Sequence, residues 1–293
     1  MILFFYANLS REMLSFHSLK LAFLGAGSMA QNLIRGYLNC SNIKAQNIFI
    51  SGRNPKKTNQ LAKELKAQAL LDNEELLEKA DIVFLCVKPQ DCQQAIEELV
   101  PQWDKRRTVL SIIAGVSFRQ LKKWGLRSRR LARLMPNTNV CAGQGLLPFC
   151  SLEKQESLNS FVEELLSPLG QTLVLEEEKQ LDSLTVACAS GSSFVLEFME
   201  YWQEWLADEG FTKDQARELS LKTFLGTSLM AEKRTDKSFS ELQQEIVSKK
   251  GVSQAGLKNM RELELERILR LSFEQAQLSL KEIHLALSSP KKS

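Results

Sequence analysis

An α/β domain followed by an all-helical domain is the architecture that this sequence of 293 residues predicts, and three observations carry it. Apolar runs of strand length recur through the first half, each ending at glycine, proline or small polar residues. Segments with helical spacing of apolar residues separate these runs, the alternation expected of a parallel sheet. Past Glu176 the strand pattern stops and helical periodicity alone continues. The boundaries that follow are an N-terminal extension over 1–18, an α/β domain over 19–176 and a helical domain over 177–293.

The first unit of the α/β domain is the most informative. Lys20 to Leu24 have the character of a buried strand, and Met29, Leu33, Ile34 and Tyr37 fall on one face of a helix. Between them Gly25-Ala26-Gly27-Ser28-Met29-Ala30 fits the G-x-G-x-x-G/A turn of a dinucleotide-binding, Rossmann-type domain. Gly25 allows a turn that a Cβ would obstruct, Gly27 lets the backbone approach a pyrophosphate, and Ala30 lets helix and strand pack closely. Free N–H groups and the positive dipole end at the helix start favour phosphate. Alone, such a turn is also an ordinary strand-to-helix connection. Its setting, after a strand, before a helix and ahead of a second strand at Asn47 to Ser51, favours the dinucleotide.

The end of that second strand bears on the cofactor. A carboxylate there holds the ribose 2′-hydroxyl of NAD, whereas a nearby arginine accommodates the 2′-phosphate of NADP. Here Ser51, Gly52 and Arg53 precede Asn54-Pro55, so a hydroxyl and a cation are present and no acid. NADP(H) is the better guest and NAD(H) the poorer one; the bland alternative for Arg53 is a solvated surface side chain. Pro55 then opens a helix to Leu65.

Further along, Asp81 to Cys86 read as a buried strand ending in Val87-Lys88-Pro89. Val109 to Ile113 repeat the form and end at Ala114-Gly115, and Leu134 leads into Met135-Pro136-Asn137-Thr138. Ligands of α/β sheets lie at the carboxyl ends of strands, so these loops converge on one cleft edge. Ser151 to Leu166 read as a helix and Gln171 to Leu175 as a last strand. Helical periodicity then covers Leu181–Cys188, Phe194–Leu206, Asp214–Lys233, Leu242–Val247 and Leu263–Ile283, with apolar stripes suited to a core and to subunit contact. Ala189-Ser190-Gly191-Ser192-Ser193 and Ser248-Lys249-Lys250-Gly251-Val252-Ser253 read as turns at helix starts, the second ahead of Gln254–Met260. Each offers backbone donors to a carboxylate, and spacing alone favours plain Ser/Gly caps.

Composition narrows the function classes. Apolar content of 44% and charged content of 25% are those of a globular protein. A net charge of +3, without a basic run interleaved with aromatics, gives no reason to expect nucleic acid. The apolar run near the start is too short for a bilayer span and lacks a charged n-region, so an extension or an upstream start ahead of Met13 is expected, with no membrane attachment. Six cysteines without a C-x-x-C pair read as reduced cytoplasmic thiols. Two histidines, His17 and His284, leave little for a His-based metal site or a His general acid, and no metal is expected.

Taken together these motifs resemble the Δ1-pyrroline-5-carboxylate reductase family from Leu19 to Ile283. The resemblance is carried by GAGSMAQNLIRG at Gly25–Gly36, SGRNP at Ser51–Pro55, VKP at Val87–Pro89, AGV at Ala114–Val116, MPNT at Met135–Thr138 and the two Ser/Gly turns. It implies reduction of a cyclic imine to L-proline by hydride from NAD(P)H, in an oxidoreductase whose helical domains interlock as a dimer. Cofactor contacts would fall on Gly25 to Ala30, Ser51, Arg53, Asn73, Cys86 to Pro89 and Ala114. Substrate contacts would fall on Asn137, Ser192, Gly251, Val252 and Ser253, with the Ser253 hydroxyl pointing at the imine nitrogen as the catalytic donor. Two features depart from the family pattern: Phe194 stands where a proline is usual, and Lys249-Lys250 stand where the second turn normally carries Pro-Gly.

Rival readings are a β-hydroxyacid dehydrogenase, a ketol or F420-type reductase, a reductase of a related cyclic imine and a non-catalytic dinucleotide-binding paralogue with a regulatory or assembly role. The first needs a lysine on the long helix after the boundary, and none occurs between Leu181 and Asp208. The second leaves MPNT unexplained.

Overall fold

The computed structural model describes residues 18–70, 72–99, 101, 103, 107–248 and 251–288. The expected extension, apart from residue 18, and Lys249-Lys250 lie outside the described residues. The chain forms two compact units, Met1–Ser190 with Gln277–Ser293, and Gly191–Ala276.

The first unit is built on an eight-stranded sheet of order β3-β2-β1-β4-β5-β6-β7-β8. Its first six strands are β1 (Leu21–Leu24), β2 (Ile48–Ser51), β3 (Gln68–Ala69), β4 (Ile82–Leu85), β5 (Thr108–Ser111) and β6 (Arg130–Leu134), all parallel. Continuous apolar runs suit strands covered on both faces. Along β1, Leu21 and Phe23 enter one core while Ala22 and Leu24 enter the other, and β4 divides Ile82 and Phe84 from Val83 and Leu85 in the same way. Phe23 stacks on Phe84 with ring centroids 4.7 Å apart, and Tyr37 meets Phe84 edge-on at 6.1 Å. Helices α1 (Ser28–Cys40), α2 (Pro55–Leu65), α3 (Asn73–Lys79), α4 (Pro89–Leu99) and α5 (Phe118–Lys123) connect the strands.

Beyond β6 the sheet differs from expectation. β7 (Gly145–Ser151) returns antiparallel to β6, and β8 (Gly170–Val174) lies parallel to β7. Ser151 therefore ends a strand, and the helix expected from there, α6, runs Glu156–Leu166. Pro148 hides the strand from a sequence reading, because proline argues against a ladder position. It stays in register with Leu173 of β8, and on the β6 side, where the paired register ends at Leu134↔Phe149, its carbonyl accepts from the Met135 N–H at 2.9 Å, a bond that asks no donor of proline.

Short helix α7 (Gln180–Leu184), a π-helical turn (Thr185–Ser190) and α8 (Gly191–Asp208) follow one another without a break. The expected turn at Ala189–Ser193 is therefore corrected: it lies inside helical backbone and opens no new helix. By packing, the compact units part after Ser190. Leu181 is fully buried in the core that holds Val83, Leu85 and Val109, and Leu184, Ala189 and Leu287 pack against the same core. Arg133, 3% exposed, pairs with Glu178 at 2.8 Å, and the same carboxylate accepts from the Phe118 N–H, tying the segment before α7 to β6 and α5.

The second unit consists of α8, α9 (Lys213–Lys233), α10 (Phe239–Ile246), α11 (Val252–Glu262) and the first part of α12 (Leu265–Ser288). Capping boxes at Thr212/Gln215 and Ser238/Glu241 start α9 and α10. Phe194 contacts Phe273, and Trp202 meets Phe224 edge-on at 5.3 Å.

Candidate active site

The first turn lies where the strand order reverses, between the ends of β2 and β4. Gly25 has φ +115°, and a Cβ there would stand 2.5 Å from the Cys86 carbonyl oxygen. The turn is pinned on both sides: Gly25 N–H donates to Ser51 O at 2.8 Å, and Cys86 N–H donates to Leu24 O at 2.8 Å. Gly27 is the N-cap of α1, with no acidic residue in the first helical turn, and Gly27 and Ser28 are exposed. Ala26 and Met29 are half-buried, while Ala30 is buried against the sheet. The result is a bare helix start with solvent-facing donors, a cradle for a phosphate anion.

At the end of β2, Ser51 is buried and its hydroxyl donates to the side-chain oxygen of Asn73, the first residue of α3. The more open cation is Arg53, 77% exposed, whose Nη1 pairs with Asp91 Oδ1 at 2.7 Å. Ser51, Arg53 and Asn73 thus meet around one strand end. Asp91 was missed by the sequence reading: it lies 38 residues from Arg53 along the chain, and its only local signal is an acid in the first turn of α4.

Past β4, Cys86 and Val87 are half-buried, Lys88 is exposed, and Pro89 opens α4. Burial pushes the Cys86 thiol well above its ordinary value and the Cys92 thiol up to about 12, so neither is a ready thiolate. Past β5, Ala114 is half-buried, and Gly115 adopts φ +74° where a Cβ would meet Ile283 Cγ2 at 2.9 Å, so the end of α12 rests on this turn. Asn137 is buried; its Oδ1 accepts from the Leu146 N–H at 3.1 Å and its Nδ2 donates to the Cys188 carbonyl at 3.5 Å. This side chain links the MPNT loop to β7 and to the π-helical turn.

The remaining expected substrate residues belong to the second unit. Ser192 lies in the first turn of α8, on backbone continuous with the helix before it. Gly251 is the N-cap of α11, held by its N–H to Ser248 O at 3.0 Å, and a Cβ on it would come within 2.2 Å of Ser248 Oγ. Val252 and Ser253 are the first residues of α11, both exposed, with N–H groups that precede the first intrahelical acceptors. The structure therefore gathers the expected cofactor residues in one unit and divides the expected substrate residues between two. Among the described residues no group of three or more His, Cys, Asp or Glu side chains is placed to hold a metal.

A sheet whose first six strands run parallel, with a bare glycine turn at its reversal point, together with a separate helical unit, defines a two-domain dinucleotide-binding protein. Residues 20–115 match the family described as NADP oxidoreductase coenzyme F420-dependent, and residues 178–283 match pyrroline-5-carboxylate reductase dimerisation. The pyrroline-5-carboxylate reductase of Staphylococcus haemolyticus is 31% identical over 259 residues, 86% of this chain and 93% of that protein. That of Staphylococcus epidermidis is 33% identical over 242 residues, covering 82% and 88% respectively. In fold the chain is similar to a pyrroline-5-carboxylate reductase of Coxiella burnetii, with a TM-score of 0.79, 25% identity and coverage of 91% of this chain and 98% of that one. A Plasmodium falciparum pyrroline carboxylate reductase with NADP bound gives a TM-score of 0.81 at 24% identity, over 92% and 99%. This chain belongs to the pyrroline-5-carboxylate reductase family. The F420-type description covers only the dinucleotide-binding part, whereas the curated relatives extend through the helical part as well.

Proposed function

We propose that the chain reduces 1-pyrroline-5-carboxylate to L-proline with NADPH, in the cytoplasm, as a homodimer or higher homo-oligomer. The observation that carries this reading, within the family, is the pinned Gly25 turn with its bare helix start beside Arg53. The cradle fits a dinucleotide pyrophosphate, and the guanidinium fits a 2′-phosphate. When bound, NADPH supplies the hydride. The start of α1 holds the pyrophosphate, Lys88 to Pro89 and Ala114 border the nicotinamide end, and the Gly251 turn takes the substrate carboxylate on backbone donors. The Ser253 hydroxyl donates a hydrogen bond to the imine nitrogen, drawing electron density from the carbon that is reduced, and the proton that nitrogen gains on reduction is drawn from water.

The test is NADPH oxidation with pyrroline-5-carboxylate, run beside binding of NADPH alone. Consumption of NADPH with equal formation of proline is expected. Binding without turnover would support the non-catalytic reading, which the departure of the Ser248–Ser253 turn from the family pattern favours. Turnover confined to another cyclic imine would support the related-substrate reading.

Assembly has its own support. In the second unit only Ala216, Ser220 and Leu242 are buried among the described residues, while Leu196, Trp205, Leu263 and Ile268 are each more than half exposed. Apolar area of this kind suits a second copy of the chain better than water. Light scattering is expected to give at least twice the 33.2 kDa chain mass; a stable, active monomer would refute it. Among the described residues no helix is long and apolar enough to cross a membrane.

A further inference from the structure

The Arg53–Asp91 pair joins the loop after β2 to the first turn of α4, which follows β4. β2 and β4 flank β1 on either side, so the pair bridges the two strand ends that border the glycine turn. The partners are not equivalent. Asp91 is 20% exposed, and its backbone N–H donates to Lys88 O at 3.0 Å, which keeps its carboxylate at the positive end of α4. Arg53 is a long side chain, 77% exposed, and can turn toward another anion. No acid stands at the end of β2 itself, where Ser51-Gly52-Arg53 runs. A carboxylate nevertheless reaches this place, delivered from the far side of β1.

We infer that Asp91 is a specificity-determining residue which lowers the preference for NADPH over NADH by competing with the 2′-phosphate for the Arg53 guanidinium. The inference rests on the dinucleotide reading given above. Two anions are offered to one cation: the fixed carboxylate of Asp91 and the phosphate that NADPH carries and NADH lacks. The guanidinium end of the pair is open to water, which weakens the pair, so the phosphate displaces the carboxylate at a modest cost in affinity. NADH makes no such demand and leaves the pair intact.

The experiment measures dissociation constants for NADPH and NADH by nicotinamide fluorescence, with no imine present, for wild type, Asp91→Asn, Arg53→Ala and the double variant. Asp91→Asn is expected to tighten NADPH binding about threefold to tenfold and to change NADH binding by less than about twofold. Arg53→Ala is expected to weaken NADPH by about tenfold or more and to leave NADH nearly unchanged. On the Arg53→Ala background, Asp91→Asn should lose most of its effect, because the cation being contested is gone. The inference is overturned by equal gains for both nucleotides, by an undiminished gain without Arg53, or by weaker NADPH binding in Asp91→Asn, which would make the carboxylate an orienting partner. A wild-type chain that binds neither nucleotide removes the dinucleotide reading and this inference together. Tight wild-type binding of NADPH with an unresponsive Asp91→Asn removes only the inference.

Discussion

Gly25→Ala is expected to weaken NADPH binding by about a hundredfold or more and to lower stability measurably, whereas Gly27→Ala should weaken binding and leave stability nearly unchanged. The contrast comes from geometry. At Gly25 a Cβ would stand 2.5 Å from Cys86 O, 2.6 Å from its carbon and 2.8 Å from Val87 N, all backbone atoms. None can swing aside as the tip of a side chain would. The hydrogen bonds from Gly25 to Ser51 and from Cys86 to Leu24 hold both loops in place, so relief means moving the end of β1 or β4. The backbone at φ +115° adds a conformational cost on the order of 1–3 kcal/mol for any L side chain. At Gly27 φ is −74° and the nearest contact to a built Cβ is 4.0 Å away, so the fold accepts alanine there. What alanine obstructs is the close approach of a pyrophosphate to the backbone. Thermal melts paired with NADPH titrations separate the two cases. Wild-type melting and wild-type affinity in Gly25→Ala would show that this turn is not the cradle.

The same residues show how far the sequence could be read. The runs at Leu21–Leu24 and Ile82–Leu85 were legible because both faces of a parallel sheet are covered, which leaves an uninterrupted apolar signal. β7 was not, because its apolar run contains Pro148 and its partner on one side runs antiparallel. The stretch Ala189–Ser193 reads as a turn by composition, yet helical backbone on both sides carries it through as part of and beyond a π-helical turn. Short small-residue stretches are decided by such tertiary context, which overrides propensity. The glycine turn was legible because each of its positions answers a local backbone requirement. The Arg53–Asp91 pair was not, since its members come from separate βα loops and meet only once the sheet order is known. Leu181 shows the same limit: it has ordinary helical spacing, and only the packed core reveals that it sits with the sheet.

Ser253→Ala is expected to lower kcat by roughly ten- to a thousandfold with little change in the affinity for NADPH. A cyclic imine accepts hydride readily when its nitrogen is protonated or strongly hydrogen-bonded, since that draws electron density from the adjacent carbon. The donor has to come from a residue that reaches a bound imine. Of the two histidines, His17 lies outside the described residues and His284 faces Asp182 at 3.3 Å within the first unit. Ser253 stands in the first turn of α11, exposed, directly after the Gly251 turn whose backbone suits a carboxylate. A hydroxyl there can accept at rest and donate as charge develops on nitrogen, so its contribution falls on kcat more than on binding. The cofactor residues lie in the other unit, and NADPH affinity should therefore pass through the substitution unchanged. Lys249 and Lys250 allow a second arm. If their charge draws the substrate carboxylate to the turn, activity falls as added salt screens it, and Lys249→Pro with Lys250→Gly lowers turnover. If they obstruct the turn, the same double replacement raises turnover. Ser253→Ala that reduces the imine as fast as wild type, under conditions where the chemical step limits the rate, would remove this hydroxyl from the mechanism.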